Sequence, residues 1–139
     1  MNEIQKRSFV ASDLMLMDYY DRSPSDGESA QYLQTQKPNM TFIQNGKVVA
    51  CGGFNIFYRG CAEAWVFLSK KPAMSVVMGV KHQFLEWIEE YHLRRVQSPT
   101  LARWEAGCRF LKFLGMEYEG YLRKSSIDGE DQVLYARVN

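Results

Sequence analysis

A chain of 139 residues, 46% hydrophobic and 14% aromatic, is long enough to bury one core and too short for two ordinary domains, so residues 1–139 are read as a single domain. A formal charge of +1, with no block of five or six like charges, excludes a polyanion binder by bulk charge, and no nucleic-acid partner is expected. Cys51, Cys61 and Cys108 are odd in number and lack C-x-x-C spacing, which argues against a disulfide framework and a zinc site; no metal is expected. No apolar run reaches the roughly 18 to 20 residues of a membrane span, and the start, MNEIQKRSF, has no apolar leader core, so a soluble cytoplasmic protein is the expectation.

Ile4 to Val10 reads as a strand, and Ser12-Asp13 offers a helix cap ahead of Leu14, Leu16, Met17 and Tyr20. Residues 21–29, DRSPSDGES, read as a loop before a short helix over Ala30 to Gln36. Met40 to Ile43 and Lys47 to Phe57 carry β-branched and aromatic residues around Asn45-Gly46, the signal of a tight hairpin. A second turn at Tyr58-Arg59-Gly60 leads into a strand over Cys61 to Ser69.

Pro72 suits a helix first turn, and Val77, Val80, Phe84, Trp87, Ile88 and Tyr91 then recur at helical spacing. Leu93 to Gln97 reads as a short strand, Ser98-Pro99-Thr100 as a turn, and Leu101 to Leu114 as the last helix. Met116 to Arg123 and Gln132 to Val138 alternate as two final strands. Strands interleaved with helices imply a mixed α/β sheet with helices on both faces.

That element order resembles the GNAT family, the acyl-CoA-dependent N-acyltransferases. The opening Arg7 to Leu14 is similar to the family's R-x-A-x-x-x-D-L run, and Gly46 to Gly53 to its G-x-x-v-G-x strand. The segment RWEAGCRFLKFLG, ending at Gly115, resembles the helix before the sixth strand; Leu111 stands where the family carries the tyrosine that protonates the leaving thiolate. The resemblance implies a GNAT-like sheet splayed between strands four and five. It also implies that Ala64 to Leu68 lies along the pantetheine arm of acyl-CoA, with backbone amides near Phe67 and Leu68 holding it. Where the family has Q/R-x-x-G-x-G/A against the pyrophosphate, this chain has Ser69-Lys70-Lys71-Pro72-Ala73-Met74-Ser75 without glycine, leaving Lys70 and Lys71 as substitute cations.

A narrower similarity is to GNAT-like internal virion and assembly proteins of short-tailed phages. It rests on the altered phosphate loop, on Gly52-Gly53, on Trp65-Val66-Phe67, and on Arg109-Phe110-Leu111-Lys112 followed by Gly115. It implies a catalytically degenerate protein that binds virion or assembly partners, in several copies, in the host cytoplasm or the particle, without a cofactor. The alternative is an active N-acetyltransferase using acetyl-CoA on a primary amine.

In that alternative Glu63, on the fourth strand, is the candidate general base, and Tyr58, Tyr118 and Tyr121 are candidates to replace the missing acid. His82, His92 and the three cysteines read as structural, and Trp65, Trp87 and Trp104 as core or interface residues. Residues 70–124 hold 10 Lys/Arg against 6 Asp/Glu, so a basic rim at Lys70 and Arg103 is expected along the cleft. Tyr58, Trp65 and Trp104, with Arg103 and Arg109, are of the residue types that anchor protein interfaces.

Overall fold

One seven-stranded sheet organises the chain in the computed structural model, which describes residues 3–20 and 22–139. Met1, Asn2 and Asp21, from the expected leaderless start and the 21–29 loop, lie outside the described residues. The strands are β1 (Ile4–Arg7), β2 (Asn39–Gln44), β3 (Lys47–Tyr58), β4 (Cys61–Leu68), β5 (Arg95–Leu101), β6 (Glu117–Leu122) and β7 (Gln132–Val138). Their spatial order is β1-β2-β3-β4-β5-β7-β6, and every neighbouring pair is antiparallel except β4 and β5. The helices are α1 (Asp26–Gln34), α2 (Met74–Glu90) and α3 (Glu105–Phe113), with a short 3-10 helix over Ala11–Leu16. This is the GNAT-like mixed sheet expected from the sequence.

The two hairpins close as their turn residues require. Asn45 and Gly46 both hold positive φ, 53° and 75°, the pair a two-residue turn of matching twist needs. Alternation along β3 then sends side chains to two cores. On one face Phe54 meets Phe84 and Trp87 of α2 edge-on at 5.4 Å each, with Leu111 and Leu114 of α3 in the same cluster. On the other face Cys51 packs with Leu14 and Met17 of the 3-10 helix and Leu33 of α1, against Trp65 and Phe67 of β4. Gly53 is the one residue that fits beneath Trp65, because a Cβ there would lie 2.9 Å from the indole and 2.5 Å from the Pro38 carbonyl oxygen.

The first expected helix is shorter and tighter than its cap signal implied. Asp13 does not cap it in the usual way; its carboxylate is turned inward, 1% exposed, and accepts from Arg7 at 2.7 and 2.8 Å, from Thr41 Oγ1 at 2.7 Å and from the Val10 amide at 3.1 Å. Burial alone would raise the Asp13 pKa, but those donors outweigh it and hold the carboxyl below its ordinary range. The contribution to stability is therefore present above the ordinary aspartate value and lost as pH falls through the lower folded value.

Four other elements differ from expectation. Helix α1 begins at Asp26, inside the expected loop, because Asp26 accepts from the Ser23 amide and the Tyr19 hydroxyl and so organises the turn before it. Strand β5 runs through Ser98-Pro99-Thr100, expected as a turn, and α3 starts four residues later than expected, at Glu105. In α2, Val76 is buried in place of the expected Val77, and Tyr91 lies exposed beyond the helix end.

Phe84 is 4% exposed at the junction of α2 with the sheet. Phe84→Ala is expected to cost about 3 to 5 kcal/mol, measured as a fall in unfolding free energy in urea; a change within error of zero would place this helix face against solvent.

Candidate functional site

The ladder between β4 and β5 consists of Cys61↔Arg95, Ala62↔Val96 and Glu63↔Gln97, and beyond these residues the strands part. Backbone direction in the gap follows from two bonds. Ser98 Oγ donates to the Ala64 carbonyl at 3.0 Å, so even-numbered residues of β4 face β5; Ser69 N donates to Val49 O, so odd-numbered ones face β3. Val66 and Leu68 consequently turn their amides and carbonyls into the gap, while the backbone of Phe67, which pairs with Cys51, faces β3. On β5 the Ala102 amide donates to Asp131 O, so even residues face β7 and the missing N–H of Pro99 falls on the side β4 has left.

The gap is a cleft of about 200 Å³, walled by Val66, Pro99, Trp104, Phe110 and Leu111, with Glu63, Ser98 and Thr100 as polar side chains. Burial raises the Glu63 pKa above the ordinary glutamate value. The indole Nε1 atoms of Trp65 and Trp104, both residues of this lining, are buried without an acceptor among the described residues.

The expected site residues separate into those the cleft holds and those it does not. Glu63, Phe67 and Leu68 line it; Lys70 and Lys71 lie past its end. Leu111 is 4% exposed and presents a hydrocarbon, as its identity implied, at the position where the resemblance would place a proton donor. Tyr58, Tyr118 and Tyr121 are exposed and outside the lining, so none stands beside Glu63 in this cleft. His82 is on the outer side of α2, 3.9 Å from Glu86, and His92 sits past its end at φ 52°. The Cys51 thiol is pushed up to about 12 by burial, which leaves no thiolate at neutral pH.

The turn after β4 is fastened rather than open. Tyr19 bridges Ser69, the Lys70 amide donates to Asp18 O at 2.9 Å, and Lys70 Nζ lies 3.6 Å from the Asp18 carboxylate. Arg103 grips Glu130 through two nitrogens at 2.7 and 3.1 Å, and Arg95 holds Glu119 in the same way at 2.7 and 3.1 Å. The expected basic rim is thus largely neutralised where it meets the cleft. Trp65 and Trp104, expected as possible interface anchors, are only partly exposed: Trp65 packs on Phe9 at 5.0 Å and Trp104 lies on Gly107.

The cleft fits a narrow acyl-thioester arm, since the Val66 edge and the Leu68 amide face it without a strand partner, while the Leu68 carbonyl is taken up by the Tyr19–Ser69 bridge. The far end fits phosphates poorly: the Ser69 and Lys70 amides are already used and a carboxylate stands beside Lys70. Sequence reading passed over Asn55, Thr100 and the Asp18-Tyr19 pair, and no local pattern in the chain marks them. They matter through cross-strand placement alone. No grouping of three or more His, Cys, Asp or Glu able to hold a metal, and no helix long and apolar enough to cross a membrane, is present among the described residues.

Seven strands in this order with the parting between β4 and β5 define the GNAT acetyltransferase fold. The chain is similar in structure to Ard1 from Thermoplasma volcanium, with a TM-score of 0.77, 18% identity and coverage of 97% of each chain. It is also similar to the ribosomal-protein-S18-alanine N-acetyltransferase from Escherichia coli (0.75, 15%, covering 98% of this chain and 94% of that one). The ribosomal-protein-S5-alanine acetyltransferase from Vibrio fischeri gives 0.72 and 17%, covering 100% and 94%. No protein-family model and no curated protein sequence matches the chain.

A Cβ on Gly107 would collide with the Trp104 ring. Gly107→Ala should therefore shift tryptophan emission and lower the unfolding midpoint, although alanine favours a helix by about 1 kcal/mol; an unchanged spectrum with raised stability would show that Trp104 does not rest on α3.

Proposed function

We propose that this GNAT-like chain acts by binding protein rather than by acyl transfer, as a component of a short-tailed phage virion or of its assembly, present in several copies. The observation that carries the non-catalytic part is Leu111, a buried leucine in the cleft wall where the resemblance calls for the acid that protonates the leaving thiolate. The fastened turn at Ser69-Lys70 supports it, because amides spent on Val49 and Asp18 do not cradle a pyrophosphate. The phage assignment rests on the sequence similarity at Gly52-Gly53, Trp65-Val66-Phe67 and Arg109 to Gly115. A fold that keeps its cleft and loses these two functions retains shape, and shape suits docking. The partner is expected near β4 and α3, with exposed Tyr58 and Arg109 at hand.

A second reading, acetyl transfer from acetyl-CoA to a primary amine, is favoured by the unpaired Val66 edge and Leu68 amide on the strand that carries Glu63. There Glu63 would take the amine proton and the strand edges would hold the acyl-thioester arm, with Phe67 beneath it and Lys70 and Lys71 nearest the phosphates.

Calorimetry with acetyl-CoA separates the two. The expected result is no saturation in the micromolar range; micromolar affinity with acetylation of amines would install the enzyme. Crosslinking of assembled particles with mass spectrometry should place this chain against virion proteins, and its absence from particles and from any assembly complex would remove the phage role.

A further inference from the structure

Glu63 is a half-buried carboxyl for which the binding function has no use. The β3–β4 register sets it directly across from Asn55, with both side chains on the same sheet face, at a distance where cross-strand side chains meet. Asn55 is 9% exposed and its Oδ1 is buried without a donor. Glu63 has no hydrogen bond or ion pair among the described residues.

No positive charge compensates the carboxyl. Glu63 is the one titratable side chain of the cleft lining, to which α1 contributes Leu33, β5 contributes Ser98, Pro99 and Thr100, and α3 contributes Trp104, Gly107, Phe110 and Leu111. Across on β5, Gln97 turns its Oε1 to Arg95 Nε at 3.0 Å. Arg95, the cation on that face of β5, is spent on Glu119 of β6. Tyr58 of β3 lies toward Arg95 at the other end of the ladder. Asn55 Oδ1 thus lacks a donor, and the residue set across from it by the β3–β4 register is a carboxyl with no charge partner.

We propose that Glu63 is a protonated carboxylic acid whose O–H donates to Asn55 Oδ1, so that this pair ties β3 to β4 beside the cleft and releases as pH rises. One proton on the carboxyl gives Asn55 Oδ1 its donor and removes the uncompensated charge at the same time. The raised carboxyl pKa agrees with the geometry. The sign follows from linkage: a folded value above the unfolded one gives stability that is complete below the ordinary glutamate value and is lost as pH rises through the folded value. Asp13 works in the opposite direction, so the two carboxyls bracket a pH range of greatest stability.

The test is a carbon-detected NMR titration of the glutamate side-chain carboxyls, with Glu63→Gln to assign the resonance. Glu63 should titrate above the ordinary value of about 4.3, and in Asn55→Ala its midpoint should move down, because an acceptor for the protonated form has gone. A midpoint at or below the ordinary value, or an upward move in Asn55→Ala, would overturn the proposal, the latter by showing that the carboxamide N–H had been donating to a carboxylate. If Asn55→Ala does not fold, Glu63→Gln decides: it carries an N–H at every pH, so its unfolding midpoint should stay level where the wild-type midpoint falls. Parallel curves for the two proteins would contradict the pairing.

Discussion

The constraint on which everything else depends is the early end of the β4–β5 ladder. Parallel pairing holds through Glu63 and Gln97 and stops, and a sheet that would otherwise run unbroken opens in its middle. The backbone groups freed by that opening, at Val66 and Leu68 on one side and Pro99 on the other, would carry a heavy penalty in a sealed core. They are tolerated because the gap stays a cleft. Proline at position 99 suits its edge, since it has no amide to leave unpaired there.

What surrounds the opening determines how it can be used. Apolar side chains from α3, with Leu111 among them, close one wall, and the turn at Ser69-Lys70 is fastened to Asp18 and Tyr19 at the far end. Lys70 and Arg103, the cations that sequence position brings to the rim, are engaged by Asp18 and Glu130. The same architecture thus supplies a shaped slot with little free positive charge and one carboxyl. The fastening of Arg7 to Asp13 on the other side of the sheet fixes where the chain enters the fold, and so where the 3-10 helix packs on Cys51 and Trp65.

Much of this architecture was readable before the structure, and the reasons are physical. Hairpin chemistry at Asn45-Gly46, the stripe on α2 and the alternation in β7 are local, so the element order and the fold class follow from the chain. What local pattern could not provide was competition between distant groups. Asp13 looks like a helix cap and is drawn inward by Thr41, 28 positions away. Ser98-Pro99-Thr100 looks like a turn and continues as strand because β7 pairs with it along its length. Of the candidate site, Glu63, Phe67 and Leu68 were legible as neighbours on β4, whereas Asn55 and Thr100 reach the same region only through pairing. The cations at Lys70 and Arg103 were visible and their partners were not.

Amide hydrogen exchange along β4, resolved residue by residue by NMR, tests the opening most directly. Trp65 and Phe67, whose amides face β3, should be strongly protected, and Val66 and Leu68, whose amides face the cleft, should exchange far faster. Uniform protection from Glu63 to Leu68 would mean that β4 is paired on both sides, and the cleft would not exist in solution.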